Sequence, residues 1–338
     1  ENYYAWQVLA VLEAKEGNAG RARELFRKCS EVNPNNAAVY QAWAVMEQKV
    51  GRAEVAKSLL YKGLEANPRN TFVIQALGCL EWDLGNTTGG QQLFERCMQL
   101  RPKDGASYQA YGMRLWRRGA VSKARDMFAK GSVASRRHTT IWQAWAVMEQ
   151  KLGNVEKARS LFQQGVWEDP RGRAVHTLWQ AWALLEEQCG EIAQARKYFA
   201  RAVETSKRPA PSLIAWSRME ESMGRLVRAR ELLEECLKVE PYNGRVWDAY
   251  EAFERRVNGK GSEESRSIYK RRVMAEMYQS TLNSGDGEWP QGGGQGSSAD
   301  GSKAPSLSKA EEDGVVAAQT PWLADGSGLD GGLVPKQS

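Results

Sequence analysis

Residues 141–170, IWQAWAVMEQKLGNVEKARSLFQQGVWEDP, contain the unit from which the fold of this chain is built. Large apolar residues recur every three positions in the first half of this stretch, at Trp142, Trp145 and Met148, which predicts one face of an amphipathic helix. Gly153 interrupts this pattern, because glycine reaches backbone angles that end a helix, and the apolar spacing then resumes in a second helix. Neither helix buries its apolar face alone, so the stretch requires copies of itself on either side.

Copies of this unit recur along the sequence at a fixed period. A glycine follows the first helix of each copy at intervals of 34 residues, with one interval of 37. In the last copy Asn258 takes this place, as the non-glycine residue that best tolerates a left-handed turn. The period predicts an all-α, right-handed superhelical solenoid of eight tetratricopeptide-type repeats. The turn glycines are Gly17, Gly51, Gly85, Gly119, Gly153, Gly190 and Gly224.

The repeats are expected to fill residues 1–281. Residues 282–338 hold twelve glycines and eight serines without a helical period, which predicts a disordered Gly/Ser-rich tail. The three extra residues behind the longer interval are assigned to a loop at 171–177, because insertions in solenoids fall between repeats. The sequence begins with Glu1 rather than methionine, so we expect a fragment that lacks any targeting segment.

Charge is distributed unevenly along the chain. The net charge is +6, and residues 282–338 carry three lysines against eight acidic residues, so residues 1–281 hold a net charge of +11. This excess favours an anionic partner without identifying it. No apolar run is long enough to span a membrane.

Residues that carry catalysis or metal chemistry are scarce. His138 and His176 have no Ser, Cys or Asp partner at helical spacing, and no glycine-rich phosphate loop precedes a helix. The five cysteines show no metal-ligand spacing and fit small packing positions in a reducing compartment. We therefore expect no enzyme, no cofactor, no bound metal and no small-molecule substrate.

One combination of residues is more specific than the period. In the quoted unit Trp142 and Glu149 are followed by Arg159, a pattern that resembles the half-a-tetratricopeptide (HAT) repeat over residues 1–281. Leu115 replaces the glutamate in repeat four, and Gln91 replaces the arginine in repeat three. The glutamate is present in seven units, as Glu13, Glu47, Glu81, Glu149, Glu186, Glu220 and Glu254.

The resemblance implies a role in RNA metabolism, where almost all members of the HAT family act. In the regular spacing of its repeats and in the sequence WQAWAVMEQKLG, the chain resembles the chloroplast members of the high-chlorophyll-fluorescence class. Those members are linked to the photosystem II H-subunit transcript. This implies a location in the chloroplast stroma, or at the thylakoid. It also implies binding to single-stranded RNA at an mRNA 5′ leader, protection of that leader from exonuclease, remodelling of local RNA structure and promotion of translation.

We predict that the HAT residues are structural and that RNA contacts lie elsewhere on the first helices. Glu149 and Arg159 are expected to pair between the two helices of one repeat, and the aromatic residues to form the core. Six glutamines share the position that faces the concave groove of a tetratricopeptide, where amides donate and accept hydrogen bonds. Trp82 and Trp116 are predicted to stack on bases, with basic residues beside them on phosphates. The glutamines are Gln7, Gln41, Gln75, Gln109, Gln143 and Gln180, and the basic residues are Lys15, Lys49, Arg117 and Lys151.

An ordinary solvated helical surface would explain the same residues without RNA. The alternative function is a protein–protein scaffold in an RNA-processing complex, or self-association through the repeats. A groove that clamps a peptide carboxylate is not expected, because the ninth position of the first helix lacks asparagine. It holds Val11, Val45, Cys79, Met113 and Val147.

Overall fold

A computed structural model describes residues 3–284 of the chain. These residues form sixteen α-helices and no strand, which confirms the predicted all-α repeat solenoid. Odd-numbered helices are the first helices of the repeats, and even-numbered helices are the second. The helices are α1 (Tyr3–Glu16), α2 (Ala19–Val32), α3 (Ala37–Lys49), α4 (Ala53–Ala66), α5 (Thr71–Asp83), α6 (Thr87–Leu100), α7 (Gly105–Arg117), α8 (Val121–Ala134), α9 (Thr139–Lys151), α10 (Val155–Glu168), α11 (Val175–Gln188), α12 (Ile192–Thr205), α13 (Ala210–Ser222), α14 (Leu226–Val239), α15 (Gly244–Asn258) and α16 (Glu263–Ser284).

The seven turn glycines all have positive φ, between +73° and +95°, as their spacing predicted. The residue after each glycine reaches back to the end of the first helix; the Asn154 amide, for example, donates to the Glu149 carbonyl at 2.9 Å. The expectation for Asn258 was wrong. Asn258 is the last residue of α15, and the left-handed conformation falls on Gly259 instead, at +85°. Glycine adopts that conformation without the steric cost that a side chain brings.

Each second helix buries one large side chain against the first helices on either side. Phe162 is fully buried, and its ring stacks on Trp182 of the following repeat at 6.1 Å between centroids. Three residues further along, Gly165 leaves no room for a side chain, since a Cβ there would lie 2.7 Å from the Cβ of Trp142. The large residue and the small one therefore fix how closely successive repeats approach. The counterparts of Phe162 are Phe26, Leu60, Phe94, Phe128, Phe199 and Leu233.

Most consecutive first helices pack directly on one another, as α7 does on α9 and α9 on α11. No comparable packing joins consecutive second helices among the described residues. Like helices approach most closely on the inner side of a curved stack, so the first helices form the inner face of the repeats.

Two predicted boundaries need correction. The inserted loop is 169–174, because residues 175–177 of the predicted loop already belong to α11. The last helix continues to Ser284, three residues past the predicted end of the repeats, and the remainder of the predicted tail lies outside the described residues. Within residues 3–284, no helix combines the length and apolar character that crossing a membrane demands.

Candidate functional site

The HAT glutamate and the HAT basic residue form an ion pair between successive repeats. Arg125 on α8 donates two hydrogen bonds of 2.7 Å to Glu149 on α9, and Glu149 is fully buried. Two parallel bonds of this kind fix both the distance and the orientation of the two helices. We call this contact the inter-repeat ion pair. Its other members are Arg23–Glu47, Lys57–Glu81, Arg159–Glu186, Arg196–Glu220 and Arg230–Glu254.

The second tryptophan of the quoted unit, Trp145, belongs to the same network. Trp145 Nε1 donates to Glu149 at 3.1 Å from one turn earlier on the same helix, and Asn154 and Lys157 approach the carboxylate from the turn and from α10. The same tryptophan-to-glutamate bond joins Trp43 to Glu47, Trp182 to Glu186 and Trp216 to Glu220. The expectation that these residues are structural is therefore confirmed.

The predicted partner of Glu149 was wrong. Arg159 does not bond Glu149 of its own repeat but Glu186 of the next one, at 2.6 and 2.9 Å. The same rule explains the two departures from the HAT pattern. Gln91 and Leu115 are separated by 24 residues, as Arg125 and Glu149 are. They are therefore the two sides of one missing ion pair, at the junction between repeats three and four.

These contacts keep the buried carboxylates ionised. Burial alone would raise the pKa of Glu149, but hydrogen bonds from Arg125, Asn154 and Lys157 outweigh it and lower that pKa to about 2. For Glu47 and Glu220 the bond from the paired arginine is the largest cause, and it lowers both pKa values. A charge buried in this way is stabilising only while its partners are in place.

The predicted glutamine ladder lies between successive first helices. Gln75 and Gln109 are buried, at 6% and 8% exposure, and the other four glutamines are half-buried. The Oε1 atom of Gln109 accepts a 2.7 Å hydrogen bond from Thr140 of the next repeat. Four of the six amides thus join neighbouring repeats, which is a structural reason for glutamine at this position. The other three bonds run from Gln75 to the Ala106 carbonyl (3.3 Å), from Thr177 to Gln143 (3.0 Å) and from Ser212 to Gln180 (3.1 Å).

Gln7 and Gln41 differ from the other four glutamines. Both are half-buried, and neither makes a side-chain hydrogen bond with another described residue. Their amides therefore keep both donor and acceptor capacity for a ligand.

Trp82 and Trp116 are half-buried and pack against the core, so neither ring is fully accessible to a ligand. Trp82 packs edge-on against Tyr111 at 5.7 Å, and the guanidinium of Arg118 lies 5.9 Å from its ring centroid. Lys151 covers the ring of Trp116 at the same distance. Base stacking on either ring would require the covering cation to move aside.

The four predicted basic residues are all exposed and lie in the last turns of their first helices, α1, α3, α7 and α9. Lys15, Lys49 and Arg117 form no salt bridge with another described residue. Because each helix ends at a turn glycine, these cations lie along one edge of the first helices.

The histidines and four of the five cysteines serve packing. His138 lies at the start of α9 within 3.2 Å of Gln109, and burial lowers its pKa; burial also lowers the pKa of His176. Cys189 is exposed, whereas the other four cysteines are buried. No cluster of three or more potential metal ligands occurs between residues 3 and 284.

Comparisons with known proteins agree with a repeat fold. The family model of the tetratricopeptide repeat matches residues 3–36, which span α1, α2 and the loop after them. No curated protein matches the chain. The repeats are similar to the crystal structure of MamA, with 15% identity and a TM-score of 0.38 over 47% of this chain and 92% of that one.

Two further solved structures cover more of the chain. The structure of pilF from Pseudomonas aeruginosa has 14% identity and a TM-score of 0.43, over 70% of this chain and 97% of that one. A tetratricopeptide repeat protein from Parabacteroides merdae has 15% identity and a TM-score of 0.46, over 80% and 99%. The helix pairs, the left-handed glycine turns and the family match of the first repeat together make this chain a tetratricopeptide-like repeat protein.

Proposed function

We propose that this protein binds single-stranded RNA along the inner face formed by its first helices. The target is the 5′ leader of a chloroplast mRNA, which the bound repeats shield from exonuclease and hold open for translation. The leader and the chloroplast follow from the resemblance of the repeats to chloroplast HAT proteins. The choice of surface follows from the charges and amides described above.

The observation that carries this proposal is the row of exposed cations at the ends of first helices. The basic residues at one other recurring position, such as Arg125 and Arg159, are held in inter-repeat ion pairs. Lys15, Lys49 and Arg117 are not, and they recur at multiples of one repeat. Cations at helix C-termini also interact favourably with the helix dipole. The helix dipole needs only a cation somewhere in the last turn. Contact with successive phosphates of one RNA strand is favoured by cations at the same position of several repeats.

Because Trp82 and Trp116 are half-buried and four of the six glutamines bond neighbouring repeats, RNA binding relies less on base contacts than the sequence predicted. Phosphate contacts supply most of the affinity, and Gln7 and Gln41 supply the amides with open hydrogen-bonding capacity. Such a protein acts passively. Binding energy that is gained only on the unpaired strand shifts a hairpin equilibrium towards the open form.

The test is selection from a random single-stranded RNA pool by the full chain at two salt concentrations, followed by sequencing. One enriched motif of several nucleotides, with affinity that falls as salt rises, would support a sequence-selective RNA binder. Measurable affinity for RNA without an enriched motif would reduce the proposal to non-selective binding. Absence of RNA retention at both salt concentrations would refute it.

One observation favours the scaffold alternative. Helix α16 exposes four large side chains, Tyr269, Met274, Met277 and Tyr278, each at least 49% exposed. Exposed methionines suit adaptable protein–protein contacts. If α16 mediates association, sedimentation of the full chain will show an assembly that dissociates in the variant Met274→Glu with Met277→Glu.

A further inference from the structure

Three consecutive first helices differ from α3, α5, α7 and α15 in how they begin. The side chains of Asn36, Asn70, Asp104 and Asn243 cap α3, α5, α7 and α15 by accepting hydrogen bonds from backbone amides. At α9, α11 and α13 the capping positions hold His138, Ala174 and Pro209, and no side chain caps the helix. Replacing a capping residue typically costs about 1 kcal/mol, so its absence from three neighbouring repeats calls for a reason.

The loops before the same three helices are the most basic loops between repeats. The loops 135–138, 169–174 and 206–209 contain six exposed cations and one acidic residue, Asp169. The four remaining loops between repeats contain three cations and two acidic residues. None of the six cations forms a salt bridge with another described residue. We call this set the basic edge, and it consists of Arg136, Arg137, Arg171, Arg173, Lys207 and Arg208.

An exposed tryptophan adjoins the basic edge. Trp167, two residues before the loop 169–174, is 82% exposed, and Val133 in the preceding repeat is 73% exposed at the same position. That position holds polar residues in the other repeats: Glu31, Glu65, Gln99, Glu204 and Lys238. An apolar side chain that is exposed to this extent does not contribute to the core of the repeats.

We infer that the basic edge is a second contact surface for single-stranded RNA, with Trp167 as the base-stacking residue. The Thr140 amide of α9 and the His176 amide of α11, at the position that Asn36 caps in α3, offer donors to phosphate oxygens, and the arginines beside them supply charge. Trp167 supplies the aromatic face that a base of any sequence stacks on. This inference rests on the proposed function, and it adds a surface at the opposite end of the first helices from Lys49 and Lys151.

The centre of the surface lies on repeats four to six rather than further along. At α13 the Ala210 amide already donates to Glu240, and Pro211 has no N–H group to offer. Glu204 beside the third loop pairs with Arg201. Lys207 and Arg208 therefore extend the surface by charge alone, while the loops 135–138 and 169–174 combine charge with one open amide each, that of Thr140 or His176.

The test compares two double variants of the full chain with the same loss of charge. Arg137→Gln with Arg171→Gln removes one cation from each central loop, and Arg69→Gln with Lys103→Gln does the same at the equivalent positions of the loops that follow repeats two and three. Fluorescence anisotropy with a labelled single-stranded RNA measures affinity as a function of salt. For the first variant we expect about tenfold weaker binding near 0.1 M salt and a salt slope smaller by about 1.4. The second variant should retain the affinity of the wild type.

Trp167→Ser should weaken binding about fivefold or more, whereas Trp167→Tyr retains a stacking face and should bind nearly as well as the wild type. Equal losses in the two double variants, or no loss in Trp167→Ser, would overturn this inference and leave the proposed function standing. Failure of the wild type to bind RNA would overturn both. Binding of polyglutamate through the same loops, at lower concentration than RNA, would assign the surface to an acidic protein instead.

Discussion

Arg125 and Glu149 join the second helix of repeat four to the first helix of repeat five by two hydrogen bonds of 2.7 Å. They are separated by 24 residues, and the same two positions hold a basic and an acidic residue at five other junctions. At the junction before, they hold Gln91 and Leu115. The protein thus contains a natural example of the junction with both charges removed together.

Removing one partner of the ion pair should be more harmful than removing both. Arg125→Leu leaves the buried Glu149 carboxylate without its two strongest bonds, and we expect a loss of about 1–3 kcal/mol of unfolding free energy. Replacing both residues, as Arg125→Gln with Glu149→Leu, introduces the pair found at Gln91 and Leu115 and should recover part of that loss, because it removes the buried charge but deprives Trp145 and Asn154 of their acceptor. Urea denaturation followed by circular dichroism measures both variants.

The control for this prediction is Gln91→Leu, at the same position of a repeat that has no carboxylate to pair. It should change the midpoint of unfolding little, because the Gln91 side chain bonds only the exposed Glu95. A loss in Gln91→Leu equal to that in Arg125→Leu would show that the position, and not the ion pair, matters.

The ion pairs also predict how stability depends on pH. The pKa of Glu149 is about 2 in the folded chain, against an ordinary value of 4.5. The unfolded chain therefore takes up this proton at a higher pH than the folded chain, and the associated stability is lost as the pH falls from about 5 to about 2. Melting temperatures between pH 3 and pH 7 should fall below about pH 5. The fall should be shallower in the double variant at Arg125 and Glu149, and an equal fall would contradict the assignment.

A turn glycine and a helical glycine give predictions of opposite sign. Gly153 has φ of +81°, so Gly153→Ala should destabilise the chain by about 1–2 kcal/mol. Gly20 lies within α2 with no atom close to a new Cβ, so Gly20→Ala should stabilise the chain by about 0.5–1 kcal/mol. Denaturation midpoints measure both, and destabilisation by both substitutions would contradict the assigned backbone conformations.

Thiol reactivity tests the packing of the repeats. Cys189 is exposed, while burial raises the pKa of Cys79 to about 11 and of Cys97 and Cys236 to about 12. We expect one of the five thiols to react rapidly with a chromogenic disulfide in the native protein, and the others only on unfolding. Cys189→Ser should abolish the rapid phase. A rapid phase that persists in this variant would show that a buried position is open.

The period of the sequence was enough to predict the helix pairs, the turns and the core. The turn glycines and the large residue of each second helix recur at fixed positions, and both are required by backbone sterics and packing, which leave few alternatives. The pairing partner of Glu149 was not predictable in the same way. Arg125 of the previous repeat precedes Glu149, and Arg159 of its own repeat follows it. Both lie at spacings from Glu149 that are compatible with pairing. Only the packing of α8 against α9 distinguishes them.

The candidate RNA contacts were predicted less well than the fold. Glutamine at a first-helix position satisfies a ligand and a neighbouring repeat equally well, and the bond from Thr140 to Gln109 appears only once the helices are stacked. The sequence contains a pattern that indicates the basic edge, but the sequence analysis did not identify it. Asn or Asp occupies the capping position before α3, α5, α7 and α15, and its loss at three consecutive repeats coincides with the six cations.

Binding of single-stranded RNA along the first helices is tested by comparing two charge-reversal variants of the full chain. Lys49→Glu with Lys151→Glu changes the inner face, while Lys28→Glu with Lys62→Glu makes the same change of charge on exposed residues of the second helices α2 and α4. We predict that the first variant loses at least tenfold in affinity and has a shallower salt slope, and that the second stays within about threefold of the wild type. Equal losses in both variants would show that net charge alone attracts RNA, and would contradict binding along the first helices.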